Sequence, residues 1–110
     1  MLYCSRWAET VDFYATTIGF DRSLENDWFV EFDLHDGAHL SVANADRATI
    51  AANGGDGLTL SWQVADLDAE RSRLSALGVA VSAPTPRWGA LTAFLHDPEG
   101  NRIELWQSTG

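Results

Sequence analysis

The residues with the clearest chemical potential lie near the end of the chain, where Arg102, Glu104 and Trp106 alternate with Ile103 and Leu105. Successive side chains of a β-strand point to opposite faces, so this alternation predicts that the guanidinium, the carboxylate and the indole share one sheet face. Most such faces are simply exposed to solvent. The alternative is a binding face, on which Glu104 orients a ligand donor and Arg102 holds Glu104 or a ligand acceptor.

Glu104 is also the candidate general base if the protein is an enzyme. A general base needs a partner group and a group that stabilises the developing charge, and the sequence offers His39 and Arg102 for these roles. It shows no Ser-His-Asp arrangement, no phosphate-binding loop and no paired cysteines.

A predicted β-hairpin positions the strand that carries Glu104. Apolar residues stand on both sides of 97–101, which reads Asp-Pro-Glu-Gly-Asn. Pro98 presets the backbone for a turn, and Gly100 or Asn101 supplies the left-handed position. The sequence therefore predicts that two strands meet at this turn.

The plan of this hairpin occurs twice in the chain. Leu-His-Asp enters the turn at 34–36 as it does at 95–97, and a helical segment closed by glycine, Gly19 or Gly78, precedes each hairpin. Each half reads as strand, helix, and then two or three strands.

The repeat predicts one α+β domain over 1–110, built from two βαβββ modules in tandem. Module one is predicted at 1–44 and module two at 58–110. The stretch 45–57, rich in alanine, asparagine, aspartate and glycine, is the predicted linker.

The first strand of module two, predicted at 58–64, alternates between polar and apolar residues. Thr59, Ser61 and Gln63 therefore share one face and are candidate ligand-binding residues.

The remaining elements of module two are predicted from local signals. Asp66 is the predicted N-cap of a helix, and residues 79–81 predict a short strand. Pro84 and Pro86 predict a loop over 84–89 without regular structure.

Charge restricts the possible partners. Sixteen acidic and seven basic residues give a formal net charge of −9. This balance argues against nucleic acid or an anionic membrane as a partner, and a cationic or neutral ligand is easier to accommodate. Solubility alone is an equally good explanation of the charge.

Cellular location is predicted from what the sequence lacks. The single cysteine, Cys4, cannot form an internal disulfide, and no apolar run is long enough to span a membrane. The residues after Met1 lack the features of a signal peptide, so we expect a cytoplasmic protein.

Three stretches together resemble the vicinal oxygen chelate superfamily, which includes glyoxalase I, extradiol dioxygenases, fosfomycin resistance enzymes and bleomycin resistance proteins. They are Val-Asp-Phe-Tyr at 11–14 with Ile-Gly-Phe at 18–20, Val-Ala-Asp-Leu-Asp at 64–68, and the closing hairpin from Phe94 to Leu105. The resemblance implies two βαβββ modules whose sheets curl into a mixed sheet around one cavity, with helices outside, and usually a homodimer.

In metal-dependent members, the resemblance implies four ligands, one in the first and one in the last strand of each module. Glu104 matches one of them, but its counterparts Ser41 and Thr59 are poor ligands, and the fourth position falls before Met1. We therefore expect no metal. The alternative is one divalent ion held by an off-pattern pair, His39 and Glu104.

The function expected from these observations is metal-free binding of a small molecule, as in bleomycin resistance proteins, which sequester their ligand. The ligand is expected to be aromatic or cationic, because five tryptophans accompany the acidic charge. The candidate ligand-binding residues are His39, Ser41, Thr59, Ser61, Gln63, Trp88, Arg102, Glu104 and Trp106.

Two other functions remain open at this level. The first is an enzyme of the glyoxalase, dioxygenase or thiol-transferase type that uses Glu104 with partners such as His39. The second is an interaction module without a ligand, whose cavity is filled by aromatic side chains.

Overall fold

The structure is a computed structural model that describes residues 1–34, 38–47, 52, 54, 58–87 and 89–109. The chain forms two compact units, one of Met1–Asp56 with Pro98–Gly100 and the other of Gly57–Asp97 with Asn101–Gly110. Among the described residues, no helix is long and apolar enough to cross a membrane.

The first unit contains four strands and one main helical segment, which changes from α to π geometry. Its elements are β1 (Leu2–Cys4), α1 (Trp7–Asp12), a π-helix (Phe13–Ile18), β2 (Asp21–Glu25), β3 (Phe29–Asp33), β4 (His39–Asn44) and a 3₁₀ turn (Ala45–Arg47).

The second unit repeats the order of strand, helix and three strands. Its elements are β5 (Thr59–Gln63), α2 (Leu67–Ala76), β6 (Thr85–Arg87), β7 (Ala90–His96) and β8 (Arg102–Ser108).

The two sheets have the same topology. Their strand orders are β1-β4-β3-β2 and β5-β8-β7-β6, and in each the first strand pairs in parallel with the last while all other pairs are antiparallel. A parallel pair needs a crossover connection, and the helical segment of each module lies within it. The prediction of an α+β fold with two tandem modules is confirmed.

The core of the second unit lies on the apolar face of its sheet. Ile103 and Leu105 of β8 are fully buried, as are Leu67 and Leu74 of α2. The Asp66 side chain accepts a hydrogen bond from the backbone N–H of Ala69 at 3.1 Å, as expected of an N-cap. The helix therefore begins where the sequence predicts, with its buried leucines on the sheet side.

The predicted loop over 84–89 is wrong, because Thr85–Arg87 form the edge strand β6. Proline lacks an N–H donor, but an edge strand leaves one side of its backbone unpaired, so Pro86 is tolerated there. This correction matters because β6 carries Arg87 onto the sheet.

The short strand predicted at 79–81 is also wrong, since these residues have no regular structure. The chain meets β7 one residue later, where the Ser82 N–H donates to the Phe94 carbonyl at 2.9 Å and the Phe94 N–H donates to Ser82 Oγ at 2.8 Å. Apolar, β-branched residues favour strands, but a strand also needs a continuous row of partners, which this segment lacks.

The first helical segment ends at Gly19 as predicted, with φ of +90°. Its last six residues have π geometry, which the sequence does not predict. The N–H groups of Gly19 and Phe20 both donate to the Tyr14 carbonyl, at 3.1 and 2.9 Å. Over so few residues, the apolar pattern does not distinguish α from π geometry.

The closing turn is held by its own side chains. The Asn101 N–H and side-chain amide donate to the two carboxylate oxygens of Asp97, at 2.9 and 2.7 Å, and both residues are buried. Gly100 has φ of +96° and is therefore the left-handed residue of the turn.

Glu99 is anchored inside the first unit. Its carboxylate accepts hydrogen bonds from the Ser5 N–H and hydroxyl, both at 3.0 Å, and from the Arg6 N–H at 2.7 Å. Burial alone would raise the pKa of the Glu99 carboxyl, but these hydrogen bonds favour the carboxylate and hold its pKa below the ordinary value.

We predict that Gly100→Ala destabilises the protein more than Gly78→Ala, by about 1–2 kcal/mol. Both glycines have positive φ, but a Cβ at Gly100 would lie 2.8 Å from the carbonyl oxygen of Gly54, whereas a Cβ at Gly78 meets nothing within 4 Å. Urea denaturation of the two variants measures the difference, and equal losses would contradict the prediction.

We predict that Glu99→Gln costs about 1–3 kcal/mol of unfolding free energy at pH 7, because an amide cannot accept all three hydrogen bonds as a carboxylate does. The lowered pKa adds stability above the unfolded-state value near 4.5 that is lost as pH falls through the folded-state pKa. The gap between wild type and variant should therefore narrow below about pH 4.5 in urea denaturation.

The matched control is Glu25→Gln, which removes an exposed carboxylate paired with Arg22. It should cost less than about 1 kcal/mol at pH 7. A gap between wild type and Glu99→Gln that stays constant from pH 7 to pH 3.5 would disprove the role assigned to Glu99.

Candidate functional site

One face of the second sheet brings together most of the predicted site residues. In the parallel pair of β5 and β8, Ser61 lies opposite Glu104 and Gln63 lies opposite Trp106. Thr59 lies opposite Arg102 in the same pair. The prediction that Arg102, Glu104 and Trp106 share a face opposite buried apolar residues is confirmed by this register.

Strands β7 and β6 extend this face on the other side of β8. Phe94 lies opposite Glu104, and Thr92 lies opposite Trp106. Arg87 of β6 lies opposite Ala90 of β7.

A pocket of about 260 Å³ opens on this face. Its lining residues come from three neighbouring strands and are Arg87, Ala90, Thr92, Glu104 and Trp106. The pocket therefore combines one cation, one anion, a hydroxyl and an indole.

Glu104 is half-buried and is oriented by Ser61, whose hydroxyl donates to Glu104 Oε1 at 2.8 Å. A carboxylate has about four lone-pair positions, so one hydroxyl leaves capacity for a ligand donor. The hydrogen bond crosses from β5 to β8 and depends on their register.

Arg102 does not hold Glu104, which was one of its two expected roles. Its Nε donates to the Thr59 hydroxyl at 3.0 Å, and its guanidinium carbon lies 4.8 Å from the centroid of the Phe94 ring. Arg87 approaches the same ring, with its guanidinium carbon 5.9 Å from the centroid.

His39 and Ser41 belong to the first unit. The imidazole Nδ1 of His39 lies 3.0 Å from Asp33 Oδ1 and 3.5 Å from Glu31 Oε1, and Ser41 lies opposite Glu31 in the sheet. His39 thus has two carboxylate neighbours within its own sheet. The pairing of His39 with Glu104 stays a prediction.

A comparison with models of protein families shows the family of this chain. The family model described as Glyoxalase/Bleomycin resistance protein/Dioxygenase superfamily matches residues 1–105. The chain belongs to this superfamily.

Two solved structures at 29% identity share the fold. An antibiotic-binding protein, TnmS3 from Streptomyces sp. CB03234, is 29% identical with a TM-score of 0.78, over 97% of this chain and 90% of that one. A glyoxalase/bleomycin resistance protein from the same strain is also 29% identical, with a TM-score of 0.72, over 94% and 93% of the two chains.

An enzyme has the same fold at lower identity. Lactoylglutathione lyase from Agrobacterium tumefaciens is 24% identical with a TM-score of 0.77, over 96% of this chain and 88% of that one. A search of curated proteins found no match.

The metal centre implied for metal-dependent members of the superfamily does not fit the residues of this chain. The register places the hydroxyls of Ser61 and Thr59 beside Glu104 and Arg102, and hydroxyls are poor ligands for divalent ions. Within the described ranges, no group of three or more histidine, cysteine or acidic side chains is arranged to hold a metal ion.

Three pocket residues were missed by sequence reasoning: Arg87, Ala90 and Thr92. Arg87 was missed because a loop was predicted where β6 forms. Without β6, the pairing that places Arg87 beside β7 could not be predicted. Side chains alternate between the two faces along β7, from Ala90 to His96, and this pattern in the sequence could have identified Thr92 as a site residue. Trp88, a predicted site residue, lies outside the described residues.

Proposed function

We propose that this superfamily member binds a small aromatic molecule in the pocket formed by β6, β7 and β8, without a metal and without converting it. The observation that carries the proposal is the convergence of Trp106, Glu104 and Arg87 on one cavity. The indole offers a stacking surface worth about 0.5–1.5 kcal/mol beyond buried area, and the charged groups offer directional hydrogen bonds.

The composition of the pocket supports binding rather than catalysis. Glu104 is the one carboxylate among its lining residues, and no histidine or cysteine lines it in the described chain. Thr92 cannot readily act as a nucleophile, because its hydroxyl already donates to the Thr85 carbonyl at 3.2 Å.

The comparisons support the same proposal. TnmS3 is an antibiotic-binding protein, and its 29% identity over nearly the whole chain makes sequestration of an antibiotic-like compound the favoured biological role. The lactoylglutathione lyase, at 24% identity, supports the fold alone.

We predict that Trp106→Ala weakens binding of an aromatic compound by about tenfold, because it removes the stacking surface. A panel of polycyclic aromatic natural products, titrated against the protein by calorimetry, identifies a compound for this comparison. Trp106→Phe should retain part of the affinity. Unchanged affinity in Trp106→Ala would contradict the proposed site.

Glu104→Gln separates binding from the alternative of an enzyme that uses Glu104 as a base. A binder should lose affinity and show no product formation before or after the substitution. Glu70→Gln, on α2 and paired with Arg73, is the matched control. Turnover that disappears in Glu104→Gln and persists in Glu70→Gln would replace the binding proposal with the enzymatic one. Binding that requires a metal ion and stops with a chelator would disprove the metal-free proposal.

We also propose that the protein is a cytoplasmic homodimer, as the resemblance and the sequence lead us to expect. Light scattering should give a mass of about 24 kDa, twice the 12.1 kDa of one chain. A single species of 12.1 kDa at micromolar concentration would disprove the dimer.

A further inference from the structure

The pocket lies over β7, where the residues that line it are small. Ala90 and Thr92 line it on this strand. They are flanked by the longer side chains of Arg87 on β6, opposite Ala90, and Trp106 on β8, opposite Thr92. Alternate residues of a strand share a face, and Phe94, the next residue of β7 on this face, is larger. The step in side-chain size along β7 therefore accounts for the cavity.

The two charged groups of the pocket reach it from opposite sides of β7. Glu104 belongs to β8 and Arg87 to β6, with β7 between them, and adjacent strands are about 4.8 Å apart. The guanidinium carbon of Arg87 lies 5.9 Å from the centroid of the Phe94 ring. Phe94 is directly opposite Glu104 in the sheet. The cation and the anion thus approach the same residue of β7 from its two sides.

These opposite charges do not pair with each other. Among the described residues, no ion pair joins Arg87 to Glu104 or to another carboxylate. The Glu104 carboxylate instead accepts a hydrogen bond from Ser61 on β5, which lies on the side of β8 away from β6. It keeps further lone pairs, and a guanidinium has five N–H donors. Both groups therefore have capacity for a ligand that lies between them.

Arg102, the other arginine on this sheet face, is held elsewhere. It lies opposite His96 on β7, and its Nε donates to the Thr59 hydroxyl at 3.0 Å. It is not one of the described residues that line the pocket. The charge that a ligand meets in the pocket is therefore one cation and one anion.

A ligand with a net charge suits this pair of groups poorly. In a pocket of about 260 Å³, an acidic group bound to Arg87 lies close to the Glu104 carboxylate, and a basic group bound to Glu104 lies close to the Arg87 guanidinium. Like charges repel, and salt screens this repulsion only beyond about 8–10 Å. A molecule without net charge avoids the repulsion and still forms charge-assisted hydrogen bonds with both groups.

We propose that the pocket selects a planar aromatic molecule without net charge that bridges Arg87 and Glu104. A carbonyl or similar acceptor on one edge binds the guanidinium, and an N–H or O–H on the opposite edge donates to the carboxylate. The ring between them stacks on Trp106. The inference rests on the proposed binding function and narrows its ligand class. Of the cationic and neutral ligands that the net charge favours, it selects the neutral one.

Four bicyclic probes test the inference. 4-Quinolone is neutral and carries a carbonyl and an N–H at opposite positions of one ring, whereas chromone has the same shape with an oxygen in place of the N–H. 2-Naphthoate and 2-naphthylmethylammonium are an anion and a cation of similar size. A bicyclic ring suits a pocket of about 260 Å³, which is small beside the roughly 300–1,000 Å³ typical of ligand sites. Isothermal titration calorimetry at fixed pH and ionic strength measures the affinity of the intact protein for each probe.

We expect 4-quinolone to bind about tenfold more tightly than chromone, because only 4-quinolone donates a hydrogen bond to Glu104. Both charged probes should bind more weakly than 4-quinolone, because each meets a like charge in the pocket.

Two substitutions test the two ends of the bridge separately. Glu104→Gln should abolish the preference for 4-quinolone, because an amide can donate to the ring oxygen of chromone, which a carboxylate repels. Arg87→Met keeps the length of the side chain but removes its N–H donors. It should weaken the binding of both neutral probes by about tenfold and leave the ratio of their affinities unchanged, since both carry the carbonyl.

The matched controls lie on β2 of the first unit, where Arg22 pairs with Glu25. Arg22→Met and Glu25→Gln make the same changes in charge and should leave all four affinities unchanged. Circular dichroism confirms the fold of each variant. The two pocket substitutions act on different ends of the bridge, so either one tests the inference if the other does not fold.

The outcomes separate this inference from the function on which it rests. Equal binding of 4-quinolone and chromone, or tighter binding of a charged probe, with loss of binding in Trp106→Ala, would overturn the neutral bridging ligand and retain the aromatic pocket. A preference for 4-quinolone that persists in Glu104→Gln would also overturn it. No binding of any probe at millimolar concentration would count against the binding function itself and the inference with it.

Discussion

The pocket depends on the position of β8 as the central partner of two strands. Its parallel pairing with β5 places Ser61 beside Glu104, and its antiparallel pairing with β7 places Phe94 on the other side of the same carboxylate. Side chains alternate along a strand, so a register slip of one residue would put Ile103 or Leu105 in the pocket and bury Glu104. The chemistry of the site therefore depends on the register in which the backbones pair.

The motif that most strongly suggested the superfamily is structural rather than chemical in this protein. Residues 97–101 form the closing turn, in which Asp97 and Asn101 satisfy each other and Glu99 accepts hydrogen bonds from the segment that begins α1. A buried polar group without a hydrogen-bond partner costs free energy. The hydrogen bonds of the turn therefore explain why these residue types occur in it. Glu104, further along the same hairpin, lines the pocket, which also receives the guanidinium of Arg87 from β6.

The net charge of the chain does not describe the charge of the pocket face. The chain carries −9 overall, yet two arginines of the pocket face approach the ring of Phe94, and among the described residues neither pairs with a carboxylate. Pairing elsewhere neutralises most of the other arginines. The composition of a sequence averages over all these environments, whereas a ligand meets only the groups within a few ångströms.

The sequence by itself determined the features that depend on neighbouring residues. The alternation at 102–106 gave one polar and one apolar face, Asp66 and Gly19 marked helix ends, and the repeat predicted two modules of one topology. Only the tertiary structure decided which strands lie beside β8, that Pro86 belongs to an edge strand, and that Arg87 joins Arg102 at Phe94. The physical reason is that turn and cap preferences act within a few residues, whereas strand pairing joins positions far apart in the chain, which no local pattern specifies.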